Sequence, residues 1–407
     1  MRPFRVLVAS ASLLVSVSVL AHGPGAAPRY KVDEIVPPAQ MQAPCLPGLF
    51  NIAVGATVND FGLVSANYGC QTQFNLDTPD PELASVHGVF LGTTWFPSIQ
   101  LDQSGVSAFT YGVNNRGQAF GGDTSDVSSA IWGVRWSVAG GSERIFDEPS
   151  CEGLNIGSTT AGNARYVVGW GLRSSPDFPT LCITTRWLIR DAAGVVTPGP
   201  LNGSAYDING FDLAVGSVDN AAVRMHVPSG QIRVLHASTG STNGAVAKDI
   251  NDLGESAGYS FVYPSSDAIC PRDTALRWDR AGSERVLPHL PGAVSSRAAA
   301  AGYDDDTVGD SGPGDYCSLD NSSNERATLW RGSRAIDLND TIPRGLRITL
   351  VAASSINRHG QILATGFRND EPQLLCPRLV FDPQTGTNHV ESEPCPRLRV
   401  YLLSPGR

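Results

Sequence analysis

The feature that most constrains the fold of this chain is a unit of about 50 residues that recurs seven times. Its clearest copies are VAKDINDLGESAGYSF, from Val246, and SSINRHGQILATGF, from Ser354. All copies align on one small residue, at Ala66, Gly121, Gly169, Gly216, Gly258, Gly309 and Ala364. A period of roughly 40–50 residues indicates a repeat architecture in which each copy forms one supersecondary unit.

Each copy is predicted to contain four short strands. The first strand ends at an asparagine-containing turn, such as Asn251-Asp252 with Gly254, and a second strand follows. A loop of variable length then leads to a third strand, and a second turn leads to the fourth. The third strands carry a large apolar residue, at Trp95, Trp136, Trp187, Met225, Trp278, Trp330 and Phe381. Short strands at this period predict an all-β fold, a seven-bladed β-propeller of four-stranded blades.

Residue sizes along the copies agree with this arrangement. A small residue precedes each asparagine turn, at Gly55, Thr110, Ser158, Ala205, Ala247, Ala298 and Ala353. We expect these residues at the hub, where the first strands converge and large side chains would collide. We expect the tryptophan and phenylalanine residues further out, filling the wedge between neighbouring blades.

Closing the ring requires a strand from outside the repeats, because an open propeller leaves two sheet edges exposed. Residues 30–36 (YKVDEIV) and residues 397–403 (RLRVYLL) are competing candidates, and the sequence does not choose between them. The predicted organisation is a cleaved signal peptide at 1–21 and an N-terminal segment at 22–49 with a candidate closing strand. The propeller follows at 50–390, and a C-terminal strand or tail at 391–407.

The turn motif also carries a family resemblance. The pattern INxxGxxxG, followed by a short apolar run, is present at 250–254 and 356–360 and in a variant form at 113–117. It resembles the HAF-repeat family of secreted bacterial proteins. His87-Gly88-Val89-Phe90 is the nearest match to the family's His-Ala-Phe element. The resemblance implies an exported propeller-like repeat protein without an assigned activity.

The N-terminal residues predict export. Arg2 and Arg5 precede an uncharged apolar run at 6–20, and cleavage after Ala21 would leave His22 as the new N-terminus. The run is shorter than the roughly 20 residues of a spanning helix. We therefore expect a secreted or periplasmic protein with no membrane attachment after cleavage, and we expect it to be a monomer.

Cysteine usage agrees with an oxidising compartment. The chain has eight cysteines, and none of them forms a C-x-x-C motif. The sequence predicts four disulfides, and near-neighbour pairing is favoured among the many connectivities that eight cysteines allow. The pairs would be Cys45–Cys70, Cys151–Cys182, Cys270–Cys317 and Cys376–Cys395.

Charge and side-chain chemistry exclude some partners. Acidic residues number 39 against 30 basic ones, for a net charge of −9, which argues against nucleic-acid binding. The seven histidines show no metal-ligand spacing, so no metal site and no cofactor are predicted. An acidic loop leaves Ca²⁺ open against a solvated turn. Its carboxylates are Asp304, Asp305, Asp306, Asp310 and Asp315.

Two acids are candidates for the axial channel. Asp207 and Asp249 each directly precede the isoleucine before the turn of adjacent copies. They could line a channel site, or they could act as turn-stabilising carboxylates. The sequence predicts no catalytic residue, and whether the protein is an enzyme stays open. The favoured function is a non-catalytic scaffold that binds a protein or glycan through its face of variable loops. The alternative is a carbohydrate-active enzyme, a glycoside hydrolase or a polysaccharide lyase, that uses these acids.

Overall fold

The computed structural model describes the protein chain in thirteen ranges, 29–36, 49–72, 85–91, 94–97, 108–124, 131–137, 141–146, 157–174, 182–235, 243–263, 271–313, 325–382 and 387–406. The described residues form strands, joined by turns and three short 3₁₀ segments at Val227–Ser229, Leu338–Asp340 and Arg344–Leu346, with no α-helix among them. The predicted all-β class is confirmed.

The strands are short, as the turn spacing predicts. They are β1 (Tyr30–Ile35), β2 (Leu49–Val58), β3 (Leu63–Thr72), β4 (Ser85–Leu91), β5 (Thr94–Pro97), β6 (Ala108–Val113), β7 (Gln118–Thr124), β8 (Ile131–Ser137), β9 (Ser142–Phe146), β10 (Gly157–Gly162), β11 (Tyr166–Ser174), β12 (Cys182–Asp191), β13 (Val196–Leu201), β14 (Gly203–Ile208), β15 (Leu213–Val218), β16 (Ala221–His226), β17 (Gln231–Val234), β18 (Gly244–Ile250), β19 (Ser256–Val262), β20 (Arg272–Trp278), β21 (Glu284–Val286), β22 (Ser295–Ala301), β23 (Asp306–Gly312), β24 (Arg326–Arg331), β25 (Arg334–Asp337), β26 (Ile348–Ile356), β27 (Ile362–Arg368), β28 (Leu374–Asp382), β29 (Thr387–Cys395) and β30 (Arg399–Pro405).

The strands form four-stranded antiparallel sheets in a propeller arrangement. Six sheets are each built from four consecutive strands, starting at β2, β6, β10, β14, β18 and β22. The innermost strand of each sheet contacts the next innermost strand along the chain. A further four-stranded sheet has the order β1-β30-β27-β26; its strand β26 contacts β22 and β2, and its strand β27 contacts β2.

Both candidate closing segments are used. Strand β30 pairs with β27, and β1 pairs with β30 from Tyr30 opposite Pro405 to Ile35 opposite Val400. The two ends of the described chain therefore complete the same sheet. The two segments that the sequence offered as alternatives are both part of it.

The prediction that each of the seven copies forms a complete blade by itself is wrong for the seventh repeat. The strand with Phe381, β28, pairs with β29 in a separate two-stranded sheet, and β30 takes the third place. In that place Val400, Tyr401 and Leu403 of β30 are completely buried. In the first repeat Trp95 lies in the fourth strand, β5, and not in the third.

The predicted aromatic wedges are confirmed where side chains are described. Trp187, Trp278 and Trp330 are completely buried, and Trp136 is 3% exposed. Each packs across a boundary between sheets, for example Trp187 against Ala205 of β14. The indole nitrogen of Trp187 also donates to the Ser217 carbonyl at 2.9 Å. Trp330 likewise donates to the Pro288 carbonyl at 2.7 Å, so these two tryptophans combine apolar burial with a hydrogen bond to the neighbouring blade.

The asparagine of the repeat motif links the blades. In the first turn, the Asn59 side-chain oxygen accepts from the N–H groups of Phe61 and Leu63. Its Nδ2 donates to the Asn114 carbonyl of the next blade at 2.8 Å. The same inter-blade bond, which we call the asparagine latch, recurs at 2.8–3.0 Å from Asn114, Asn163, Asn209, Asn251 and Asn357. The last of these reaches the Asn59 carbonyl and joins the two ends of the series. In the sixth repeat Gly302 stands where the others have asparagine.

The innermost strands also share an irregularity in their pairing with the second strands. Each contains a β-bulge at the equivalent place that leaves one residue without a partner on the second strand, and β26 has a further bulge between Leu350 and Ala352. The bulged residues are Ala56, Tyr111, Thr160, Tyr206, Lys248, Ala299 and Ser354. In the third copy the residue opposite Gly169 is Thr159, so the predicted position of Ser158 is wrong by one. That turn is one residue shorter, since Asn163 N–H bonds to the Tyr166 carbonyl whereas Asn59 N–H bonds to that of Leu63.

Candidate binding cavity at the hub

The innermost strands surround a cavity of about 750 Å³. Its walls include all seven bulged residues, and its mouth is formed by the asparagine turns, including the exposed residues Arg116, Asp252 and Arg358. The second strands end at the opposite end of the sheets, because the strands alternate in direction. The cavity therefore opens on the turn face.

The residues that border the cavity are not all the small residues that the sequence places at the hub. The small residues do not all line it, since Ala205, Ala247 and Ala298 are completely buried. Gly55 shows the cause of their size, because an added Cβ would lie 2.8 Å from the Leu363 side chain of the neighbouring sheet. Close packing between blades thus requires small residues there. The bulged positions face the cavity and accept residues as large as tyrosine.

The two acids singled out in the sequence are brought together on the cavity wall. Asp207 of β14 accepts from the Ile250 N–H at 2.9 Å, and Asp249 of β18 accepts from the Ala301 N–H at 2.7 Å. Their side chains also hydrogen-bond to each other. Each acid therefore bonds the first strand of the next blade, and Asp207 also bonds the N–H of the following residue, Ile208, as the interpretation as a turn carboxylate predicts.

Hydroxyl groups make the equivalent contact in other blades. Thr57 Oγ1 accepts from the Val113 N–H at 2.6 Å, and Ser355 Oγ accepts from the Val58 N–H at 3.2 Å. The shared geometry shows that an oxygen at this repeat position connects adjacent blades. The carboxyl groups of Asp207 and Asp249 differ in having a second oxygen available for each other.

Burial shifts both acids towards the protonated form. It raises the pKa of Asp207 to about 6, although the N–H groups of Ile250 and Ile208 act in the opposite direction. The pKa of Asp249 lies well above its usual range, through burial first and the nearby charge of Asp207 second. Both shifts favour a proton shared by the pair, with Asp249 as donor and Asp207 as acceptor.

This contact does not match the carboxyl geometry of glycoside hydrolysis. The two acids of such enzymes are about 5 Å or more apart, because the sugar or a water molecule lies between them. Here the carboxyl groups bond directly to each other, and each also accepts from a backbone N–H. The arrangement suits a structural connection that also gives the cavity wall a polar patch.

A cation and an aromatic ring lie beside the acids. The Lys248 ammonium nitrogen is 3.9 Å from the centroid of the Tyr206 ring. Burial lowers the pKa of Lys248 to about 8, and the positive charge of Arg297 contributes to the shift. Tyr111 provides a second ring on the wall, and burial raises its pKa to about 12. Sequence reasoning missed these three residues. The sequence did contain a signal: the residue directly after the small residue of each copy varies in size from alanine to tyrosine.

The mouth of the cavity is held by polar contacts between turns. Asp60 accepts from the Arg358 N–H at 3.0 Å and from the Asn115 side chain at 2.8 Å. Across the ring, Asp252 accepts from the Gly210 N–H at 2.8 Å. These bonds connect exposed turns of adjacent blades and fix the outline of the opening.

Other predicted sites stand apart from the cavity. Cys45, Cys151, Cys270 and Cys317 lie outside the described residues. Cys70, Cys182, Cys376 and Cys395 lie in strands at positions whose side chains are not described, so the disulfides stay predictions.

In the acidic loop, Asp305 pairs with Arg285, and Asp306 makes two 2.8 Å bonds to Arg331. Asp315 lies outside the described residues. Within the thirteen described ranges, no group of three or more His, Cys, Asp or Glu side chains could hold a metal ion.

Comparison with known proteins yields likenesses of fold. No protein-family model and no curated relative matches the chain. An acylaminoacyl peptidase from Pyrococcus horikoshii matches 81% of this chain at 10% identity with a TM-score of 0.48. This chain spans 55% of that peptidase's length. A chain of a nidogen/laminin complex matches 69% of this chain and 96% of its own length, at 12% identity and a TM-score of 0.33. A luciferin-regenerating enzyme matches 92% of this chain and 95% of its own length, at 10% identity and a TM-score of 0.29.

Among the described residues, no helix has the length and apolar character required to cross a membrane.

Proposed function

We propose that this protein is an exported, non-catalytic propeller that binds a glycan in its axial cavity. In this proposal the seven four-stranded sheets form one seven-bladed ring closed by both termini. The observation that supports this proposal most directly is that one cavity of about 750 Å³ is lined by Tyr111, Tyr206, Lys248 and the Asp207–Asp249 pair. Ligand sites are concave, with apolar walls and a few placed polar groups.

The shape of the site favours a glycan over a protein. A protein interface of standard size needs a surface of about 800 Å² on each partner, which is broad and mostly flat. The cavity instead suits the end of a narrow chain, and tyrosine offers an apolar ring face together with a polar hydroxyl. The face of variable loops, favoured from the sequence, stays the alternative surface.

Export is supported by the N-terminal sequence alone. Arg2, Arg5 and the apolar run at 6–20 form the expected targeting pattern, which lies outside the described residues. Mass spectrometry of the protein recovered from the periplasm or medium should find His22 at the N-terminus. An N-terminus at Met1 on a cell-retained protein would contradict export.

A cavity-filling variant tests the binding site. Ala299 is a bulged residue, and two equivalent positions already hold tyrosine, so Ala299→Tyr should fold and occupy the cavity. Ala192→Tyr, in the exposed hairpin before Val196, is the matched control. On a glycan array we expect the control to bind as wild type and Ala299→Tyr to lose binding.

The outcomes separate the alternatives. Equal binding by both variants would reject the cavity and favour the loop face. Binding of proteins but not glycans would reject the ligand class. Release of products from a polysaccharide by the wild type would reject the non-catalytic assignment.

A further inference from the structure

Lys248 is placed to face the cavity. It occupies the bulge of β18, and its ammonium nitrogen lies against the Tyr206 ring of the preceding blade. The side chain is half-buried by area because it borders the cavity, although protein surrounds it on the other sides. A ligand that entered from the turn face would therefore meet this cation inside the channel.

The charges around Lys248 leave it without a counter-ion in the part of the chain that the structure describes. Asp207 and Asp249 bond to each other and to backbone N–H groups. The other charge that acts on Lys248 is the positive one of Arg297, which is itself paired with Asp273. Among the described residues, the contact that favours the ammonium group is the Tyr206 ring, through a cation–π interaction.

An unpaired, desolvated cation is unfavourable unless another charge compensates it. A ligand anion at the Lys248 nitrogen would restore that compensation and would gain from the low dielectric of the channel. A neutral sugar would displace water from the ammonium group without replacing its charge. The site therefore favours an anionic ligand over a neutral one of the same size.

The residue type supports the same conclusion. The chain holds 30 basic residues, but lysine occurs only at Lys31 and Lys248. Lys31 is exposed and pairs with Asp33 at 2.9 Å. Lysine presents a compact charge with three donors, which fits a narrow channel better than the planar guanidinium of arginine.

Resting on the proposed function, we infer that the glycan bound in the cavity carries a carboxylate and that Lys248 is the residue that binds it. The ligand class is an acidic sugar, such as a chain that ends in a uronic acid. Lys248 thereby determines specificity for acidic over neutral glycans, while the tyrosine rings contact the sugar itself.

Calorimetry with two matched probes tests this inference. A galacturonic acid trisaccharide and a galactose trisaccharide would be titrated into wild type, Lys248→Met, Lys248→Arg and the control Lys31→Met. We expect wild type and Lys31→Met to prefer the acidic probe. Lys248→Met should bind it at least about tenfold more weakly, because a hydrogen bond to a charged group is lost. Thermal melting would establish that each variant is folded.

The pH dependence gives a readout that a structural role would not move. Binding of the acidic probe by wild type should weaken as pH rises above about 8, because Lys248 must then take up a proton on binding. Tyr206 has a raised pKa and Arg297 stays charged in this range, so neither adds a titration. Lys248→Arg keeps a permanent positive charge and retains the Asp207–Asp249 pair, so any titration of that pair is common to both proteins. The additional fall in affinity above pH 8 should therefore be absent from Lys248→Arg.

Different results would reject the role of Lys248 and the proposed glycan binding. Equal affinity for the two probes, unaffected by Lys248→Met, would reject Lys248 as the specificity residue and leave glycan binding intact. An equal fall in affinity with pH in wild type and in Lys248→Arg would likewise reject it. Absence of binding of both probes, and of every glycan on the array, would reject the proposed function itself.

Discussion

Replacing Asn209 tests whether the asparagine latch holds the blades together. Asn209 is 4% exposed, and its side chain makes three hydrogen bonds to backbone groups. Its oxygen accepts from Phe211 N–H at 3.0 Å and Leu213 N–H at 3.1 Å, and its Nδ2 donates to the Asn251 carbonyl at 3.0 Å. One side chain therefore orders its own turn and joins it to the next blade.

The expected loss follows from these bonds. Each hydrogen bond contributes about 1 kcal/mol, and buried partners left unsatisfied add to the cost. Asn209→Ala should therefore lower the free energy of unfolding by about 2–4 kcal/mol. Asn209→Asp keeps the acceptor for the turn but loses the donor to the Asn251 carbonyl, so it isolates the inter-blade part.

Urea unfolding followed by tryptophan fluorescence measures these differences. Phe211→Ala is the matched control, because Phe211 lies in the same turn but its side chain is 65% exposed. We expect the control to change stability by less than about 0.5 kcal/mol. If Asn209→Ala were no more destabilising than Phe211→Ala, or if Asn209→Asp matched wild type, the latch would not stabilise the ring.

Three further predictions concern the cavity and the repeat. Because the pKa of Asp249 is raised in the folded state, the wild type gains protons on folding, so Asp249→Asn should be increasingly more stable than wild type as pH rises from 4 to 8. Urea titrations at both pH values measure this, and a constant difference would contradict the shared proton. Lys248→Met should be more stable than wild type below pH 8, with the advantage shrinking towards pH 10.5, since the folded pKa is lowered to about 8; thermal melts across this range would show a flat difference if the shift were absent. Gly258→Ala should destabilise by about 1–3 kcal/mol, because the new Cβ would lie 1.9 Å from the Val246 carbonyl oxygen. Ala66→Gly at the equivalent repeat position is the control, and equal stability of Gly258→Ala and wild type would show that the strand yields freely.

The predicted class and repeat unit follow from local chemistry. The asparagine turns, the small residues before them and the buried tryptophans recur because each blade must satisfy the same hydrogen bonds and pack against the same neighbour. Trp136, Trp278 and Trp330 are therefore recognisable without coordinates. The turn asparagines are also visible in the sequence, but their Nδ2 bonds to the next blade are not, since the partner carbonyl lies some 40–55 residues away.

The sequence alone determined the strand-and-turn pattern, because turn preference and side-chain size act within one repeat. Only the tertiary structure decided the last sheet and the cavity. Strand β30 takes the third place in the last sheet, where its apolar residues are buried on both faces, and it pairs there with β1 from the other end of the described chain. The bulges turn Tyr206 and Lys248 inward, and β14 and β18 lie side by side, so the ring brings Asp207 and Asp249 into contact. That contact depends on how neighbouring blades pack, which no single repeat encodes.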